Sequence, residues 1–149
     1  MVNDLYTIGF TKKKAQIFFE LLENHQISLL IDIRLNNKSQ LAGFSKGEDL
    51  QFFLGKILKC KYVYDVSLSP TQDLLEKYKK KKISWDGYVK EFKELMITRN
   101  SEENINRYSS ELLNGSICLL CSESEAIHCH RSLVADLFSK KFGCKITHL

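Results

Sequence analysis

Residues 27–35 read ISLLIDIRL, a nearly unbroken apolar run with two charges near its end. A strand with one wet face alternates apolar and polar residues. A run like this one belongs to a strand covered on both faces, as in a parallel sheet with helices packed over it. The segment SICLLC at 116–121 has the same character. Two such strands commit the chain to a layered α/β arrangement, because something amphipathic must cover each side of them.

The rest of the chain supplies those covers. LYTIGF at the start is short and β-prone. Thr11 is placed to cap a helix from Lys12 to about Asn24, with Ala15, Phe18, Phe19 and Leu22 on one face. Ser45 is placed to cap a second helix to about Lys59, turning Leu50, Phe53, Leu54 and Ile57 inward. KYVYDVSL alternates and is rich in β-formers, so it reads as a third strand. Three helices follow, opened by Thr71, Ser84 and Ser101, and Asn114-Gly115 stops the last of them. After SICLLC comes a helix over Ser132–Phe142, ended by Gly143, and then a short strand in CKITHL. The order β-α-β-α-β-α-α-α-β-α-β predicts an α/β fold, a mostly parallel sheet of about five strands with helices packed on it, in a single domain over residues 1–149.

Bulk properties agree. With 149 residues, 44% of them hydrophobic and 27% charged, the chain can bury a proper core. One proline and seven glycines argue against long linkers. No apolar run approaches the roughly 20 residues needed to cross a bilayer, and the N-terminus lacks the features of a signal peptide. The expected location is cytoplasmic, with no membrane partner. Five cysteines there read as free thiols. The net charge of +4 is mild, and much of the excess lies in KYKKKK, Lys77 to Lys82. That run reads first as a solvated helix end and second as a face for nucleic acid or a partner protein.

In α/β sheets, ligands gather beyond the carboxyl ends of the strands. The rule selects Gly9–Thr11, Asp32–Phe44 and Cys121–Arg131, which are also the chemically richest stretches. Asp32 and Arg34 are two apart and share a side of their strand. They read either as an anion grip with an orienting carboxylate or as a structural pair tying the loop. In CLLCSESEAIHCHR, residues 118–131, Cys121 and Glu123 stand at the strand end, and Cys129, His130 and Arg131 stand near the next helix N-terminus. Such a terminus favours anions and lowers thiol pKa values. A thiolate nucleophile or an anion pocket follows.

A zinc knot of Cys118, Cys121, Cys129 and His128 or His130 is disfavoured by spacing. Cys118 and Cys121 are three apart in a strand and project to opposite faces, unlike a CxxC zinc knuckle. Cys118, Cys60 and Cys144 read as core thiols. A Cys121–Cys129 disulfide is a further alternative, as is a small-residue turn with buried thiols. Trp85 and Tyr88 read as core contacts before they read as a base-stacking platform. No metal and no cofactor is assigned.

The segments YTIGF, LLIDIR, GFSK, KYVYDVSLSPTQDLLEKYKKKKISWDGYVKEF and CSESEAIHCHR occur in an order that resembles the domain of unknown function 488 family, small bacterial and archaeal proteins. The resemblance spans essentially the whole chain. It implies an α/β fold and a shared pocket, and it points to Gly9, Asp32, Arg34, Ser39, Gly43, Phe44, Ser45, Lys46, Cys121, Glu123, Cys129, His130 and Arg131. The chain departs from the family at Phe10, where histidine or tyrosine is frequent, and in LNNKS, which lacks the family's proline.

The resulting expectation is a polar pocket that binds a phosphate-bearing ligand, a nucleotide or nucleic-acid element. Arg34 and Arg131 would hold the anion, with Gly9, Ser39, Ser45 and Lys46 contributing. Asp32, Glu123 and His130 would orient or exchange protons, and Cys121 or Cys129 would supply a thiol. The sequence is compatible with an oligomer. A rhodanese- or phosphatase-like thiol enzyme fits less well, because nine residues separate Cys121 from Arg131 where such enzymes use a tight five-residue loop.

Overall fold

A computed structural model describes residues 3–38 and 43–149. Its centre is a five-stranded, all-parallel sheet ordered β3-β2-β4-β1-β5. The strands are β1 (Leu5–Gly9), β2 (Ile27–Asp32), β3 (Lys61–Tyr64), β4 (Ser116–Cys121) and β5 (Ile146–His148). The two nearly unbroken apolar runs are β2 and β4, side by side in the middle, which is why neither can afford a wet face.

Two cores form on opposite sides. Leu29, Ile31, Ile33, Ile117 and Leu119 pack with α3 (Gln72–Lys79), α4 (Trp85–Thr98) and α7 (His130–Phe142). Between α4 and β4 the chain runs through α5 (Ser101–Asn104) and α6 (Ser109–Asn114). Ile8, Leu30, Cys118 and Leu120 pack with α1 (Ala15–Asn24) and α2 (Gly47–Phe53). The split follows from strand order. The chain moves one way across the sheet from β1 to β3 and the other way through β4 to β5. Crossovers of one hand therefore place their helices on opposite faces. β1 and β4 are neighbours whose chains leave in opposite directions, so their loops part at Gly9 and Cys121, which are paired in register.

Three caps differ from expectation. Thr11 does not cap α1: its hydroxyl donates to the Ser122 carbonyl at 2.7 Å, and α1 begins only at Ala15. Ser45 lies buried in a 3-10 turn and Lys46 occupies the N-cap of α2. The helix then widens into a π turn over Leu54–Leu58, which rotates Ile57 outward to 54% exposure while Leu50 and Leu54 stay buried. Ser101 is the first residue of α5, preceded by a left-handed Asn100 at φ 55°. Thr71 and Ser84 do cap their helices, accepting from the amides of Leu74 and Gly87. Gly143 ends α7 at φ 72°. Among the described residues, no helix is long and apolar enough to cross a membrane.

Candidate functional site

The loops after β1, β2 and β4 enclose a cavity of about 750 Å³, walled also by α3 and α4. Arg34, Cys121, Glu123, Cys129 and His130 all line it. Of the catalytic and ligand-binding residues expected from sequence, these are the ones that share one hollow.

Cys121 is the last residue of β4, and strand alternation turns it to the α4/α7 side while Cys118 enters the opposite core. Cys129 is the N-cap of α7 and His130 its first residue. The seven residues between Cys121 and Cys129 fold back so that the two sulfurs, both free thiols, lie 3.1 Å apart. His130 Nδ1 stands 3.5 Å from the Cys121 sulfur, and its Nε2 lies 2.8 Å from the Ile33 carbonyl. That carbonyl can only accept, so Nε2 carries the proton and Nδ1 faces the sulfurs. Phe92 packs on the ring at 5.9 Å.

The Cys129 thiol donates to Cys121 and holds the Cys121 pKa well below its ordinary value. Burial works against this, and His130 and the Glu123 amide reinforce it. Cys129 is pushed up in turn, by that hydrogen bond and by burial. Burial opposes protonation of His130, but the adjacent Cys121 charge outweighs it and raises the pKa. The two shifts run in opposite directions, toward the thiolate at Cys121 and toward protonation at His130.

Arg34 is 2% exposed and Asp32 fully buried. Asp32 takes Nε and Nη2 of Arg34 at 2.8 and 2.7 Å and the Tyr62 hydroxyl at 2.6 Å. Nη2 also donates to the Ser45 carbonyl at 2.7 Å, and the Phe10 ring lies 5.3 Å from the guanidinium carbon. Nη1 is buried with no hydrogen-bond partner among the described residues. Both sequence readings of the pair therefore hold in part: Asp32 is spent on fixing Arg34, and Arg34 keeps one donor in reserve. Tyr62, read from sequence only as one side of an aromatic strand, is the second anchor of Asp32. No sequence pattern announces it, because Tyr62 and Asp32 meet across neighbouring strands.

Arg131 has a different place from the one expected. It is fully buried and outside the cavity, donating to the Thr7 hydroxyl and to the carbonyls of Glu123 and Ser124. Its guanidinium thus shapes the loop after β4 from behind, and the Cys/Arg phosphate grip of a phosphatase-like enzyme is not formed. Gly9 serves the same packing. A Cβ there would sit 1.6 Å from the Glu123 carbonyl oxygen and 2.6 Å from Arg131 Nη1. Gly9 is needed for that close approach, and it does not line the cavity. Lys46 and Ser45 belong to the α2 entry and do not line the cavity, and Ser39 lies outside the described residues.

Cationic contributions come instead from Lys12 and Lys79, both exposed at the cavity wall. Sequence reading treats Lys12 as helix; its left-handed backbone, φ 61°, instead places it in the loop beside the hollow. Lys77 is engaged by Asp73 at 3.4 Å and Glu91 at 3.2 Å, so the basic run is not a uniform free face. Trp85 stacks on Tyr88 at 5.2 Å, and Tyr88 on Phe92 at 6.0 Å, forming a packed ladder along α4 as the core reading expects.

No curated protein and no solved structure matches the chain. A family model described as domain of unknown function DUF488 matches residues 14–138, from the start of α1 through most of α7, and the chain belongs to that family.

Proposed function

We propose that the chain is an enzyme acting on a small phosphate-bearing ligand of nucleotide type. The ligand is bound in the cavity at the strand carboxyl ends. The observation that carries this reading is Arg34: a buried guanidinium with one uncommitted donor shares a hollow with two thiols and an imidazole. Asp32 and Tyr62 hold the fork rigid, so little side-chain entropy is lost when an anion docks. Lys12 and Lys79 add attraction from the rim. A volume of about 750 Å³ suits a small molecule and not a macromolecular surface. Cys121, Cys129 and His130 supply the reactive groups, with Glu123 at the wall as a proton acceptor.

The test is calorimetric titration of the protein with inorganic phosphate and with a nucleoside monophosphate. Arg34→Lys keeps a cation for Asp32 but loses the fork, and Lys12→Ala removes an exposed charge without touching the core. Binding to the wild type, weakened about tenfold or more in Arg34→Lys, supports the reading. No binding to the wild type, or unchanged affinity in a folded Arg34→Lys, refutes it.

A further inference from the structure

The Cys121, Cys129 and His130 donor atoms all lie within 4.8 Å of one another, and all three residues are buried. We propose that they form a zinc-type metal site with three protein ligands and a fourth position opening on the cavity.

Tetrahedral zinc with Zn–S near ~2.3 Å and Zn–N near ~2.0 Å requires S···S and S···N edges of roughly 3.8 and 3.5 Å. The Cys121–His130 edge is already 3.5 Å. The sulfurs, at 3.1 Å, need to part by roughly 0.7 Å to reach the tetrahedral edge, within reach of small side-chain rotations. His130 is tied through Nε2 to the Ile33 carbonyl. A metal-binding histidine characteristically has such an outer partner, which fixes the tautomer and aims the bare nitrogen inward.

Charge balance is met once Cys129 releases the proton that it donates to Cys121. Two thiolates cannot both persist 3.1 Å apart in a buried site without a counter-charge. A divalent ion neutralises both. Cys118 cannot join, because it lies in the core on the other face of the sheet. Among the described residues the cluster has three ligands, and the proposed fourth position faces the hollow that Arg34 and Glu123 also line. Three ligands and an open position are the pattern of catalytic and not structural zinc. That the open position takes water or a ligand oxygen rests on the function proposed above; the metal site itself does not.

The experiment is elemental analysis of protein purified under reducing conditions, followed by chelation and titration with Co(II). The expected result is one equivalent per chain and a thiolate-to-cobalt charge-transfer band. Cys121→Ser, Cys129→Ser and His130→Ala should each abolish the band or weaken binding a hundredfold or more, and Cys118→Ser should leave it unchanged. A wild type with no thiolate–cobalt band overturns the site, as does a band that survives Cys129→Ser or disappears in a folded Cys118→Ser. A Cys121–Cys129 disulfide that persists in reductant would also overturn it. Phosphate titrations of the chelated and metal-loaded forms separate the two proposals. Metal uptake without phosphate binding sinks only the function. Phosphate binding by a protein that takes up no metal sinks only the metal site.

Discussion

Asp32→Asn tests whether the site is built around a preset guanidinium. In the wild type the carboxylate accepts two donors from Arg34 side-chain nitrogens and one from Tyr62, all inside 2.9 Å, with both ionic partners essentially excluded from solvent. Asparagine keeps one acceptor oxygen and the shape but removes the charge. Arg34 is then left buried and uncompensated, a situation that costs about 3–5 kcal/mol. Because one acceptor survives, a loss of about 3 kcal/mol is expected. At this chain length each kcal/mol lowers Tm by about 2–4 °C, so the melting point should fall by roughly 6–12 °C. Urea unfolding at neutral pH gives the free energy directly. The double variant Asp32→Asn/Arg34→Met removes the stranded charge and should be more stable than Asp32→Asn alone by about 1 kcal/mol or more. A loss under about 1 kcal/mol in the single variant, or a double variant that is simply additive, would refute the claim that this pair is desolvated and mutually dependent.

Three further outcomes follow from other parts of the molecule. Gly9→Ala forces a methyl into the Glu123 carbonyl and should destabilise by about 1–3 kcal/mol or more, read by thermal unfolding, since backbone on both sides must yield. Asp65 is buried against Ser67, Tyr108 and Arg107; burial raises its pKa, but the hydrogen bonds from these three residues outweigh it and hold the pKa below the usual value. Its stabilising contribution is therefore complete above the unfolded-state pKa of about 3.9 and is lost as pH falls through the lower folded value. Asp65→Asn should be less stable than wild type at pH 7, with the gap closing in acid; a constant gap across that range would count against the assignment. Thr71→Ala removes the acceptor for the Leu74 amide and should cost about 1 kcal/mol in chemical denaturation, with no change in the cavity's ligands.

How much of this was legible beforehand depended on range. β2 and β4 announced themselves because burial on both faces leaves an unbroken apolar run. The alternation of strand and helix then implied a parallel sheet, and the carboxyl-end rule pointed to the three loops that do meet. Cys118 was separable from Cys121 by strand periodicity alone. Capping fared unevenly for a local reason: the Thr71 and Ser84 hydroxyls stay with the amides of their own helices, whereas Thr11 is drawn to the Ser122 carbonyl of a neighbouring loop.

From the amino-acid order came the layer architecture, the family and the short list of reactive residues, because hydrophobic period and local motif are properties of neighbours along the chain. Tertiary structure decided which members of that list act together. It turned Arg131 away to brace the Glu123 loop and reserved Gly9 for a backbone contact. It also brought Lys12 and Tyr62 into play and closed Cys121, Cys129 and His130 into one cluster. Those assignments depend on distances between residues on different strands and loops. Such distances are set by how helices and sheet pack, and no spacing within a single segment encodes them.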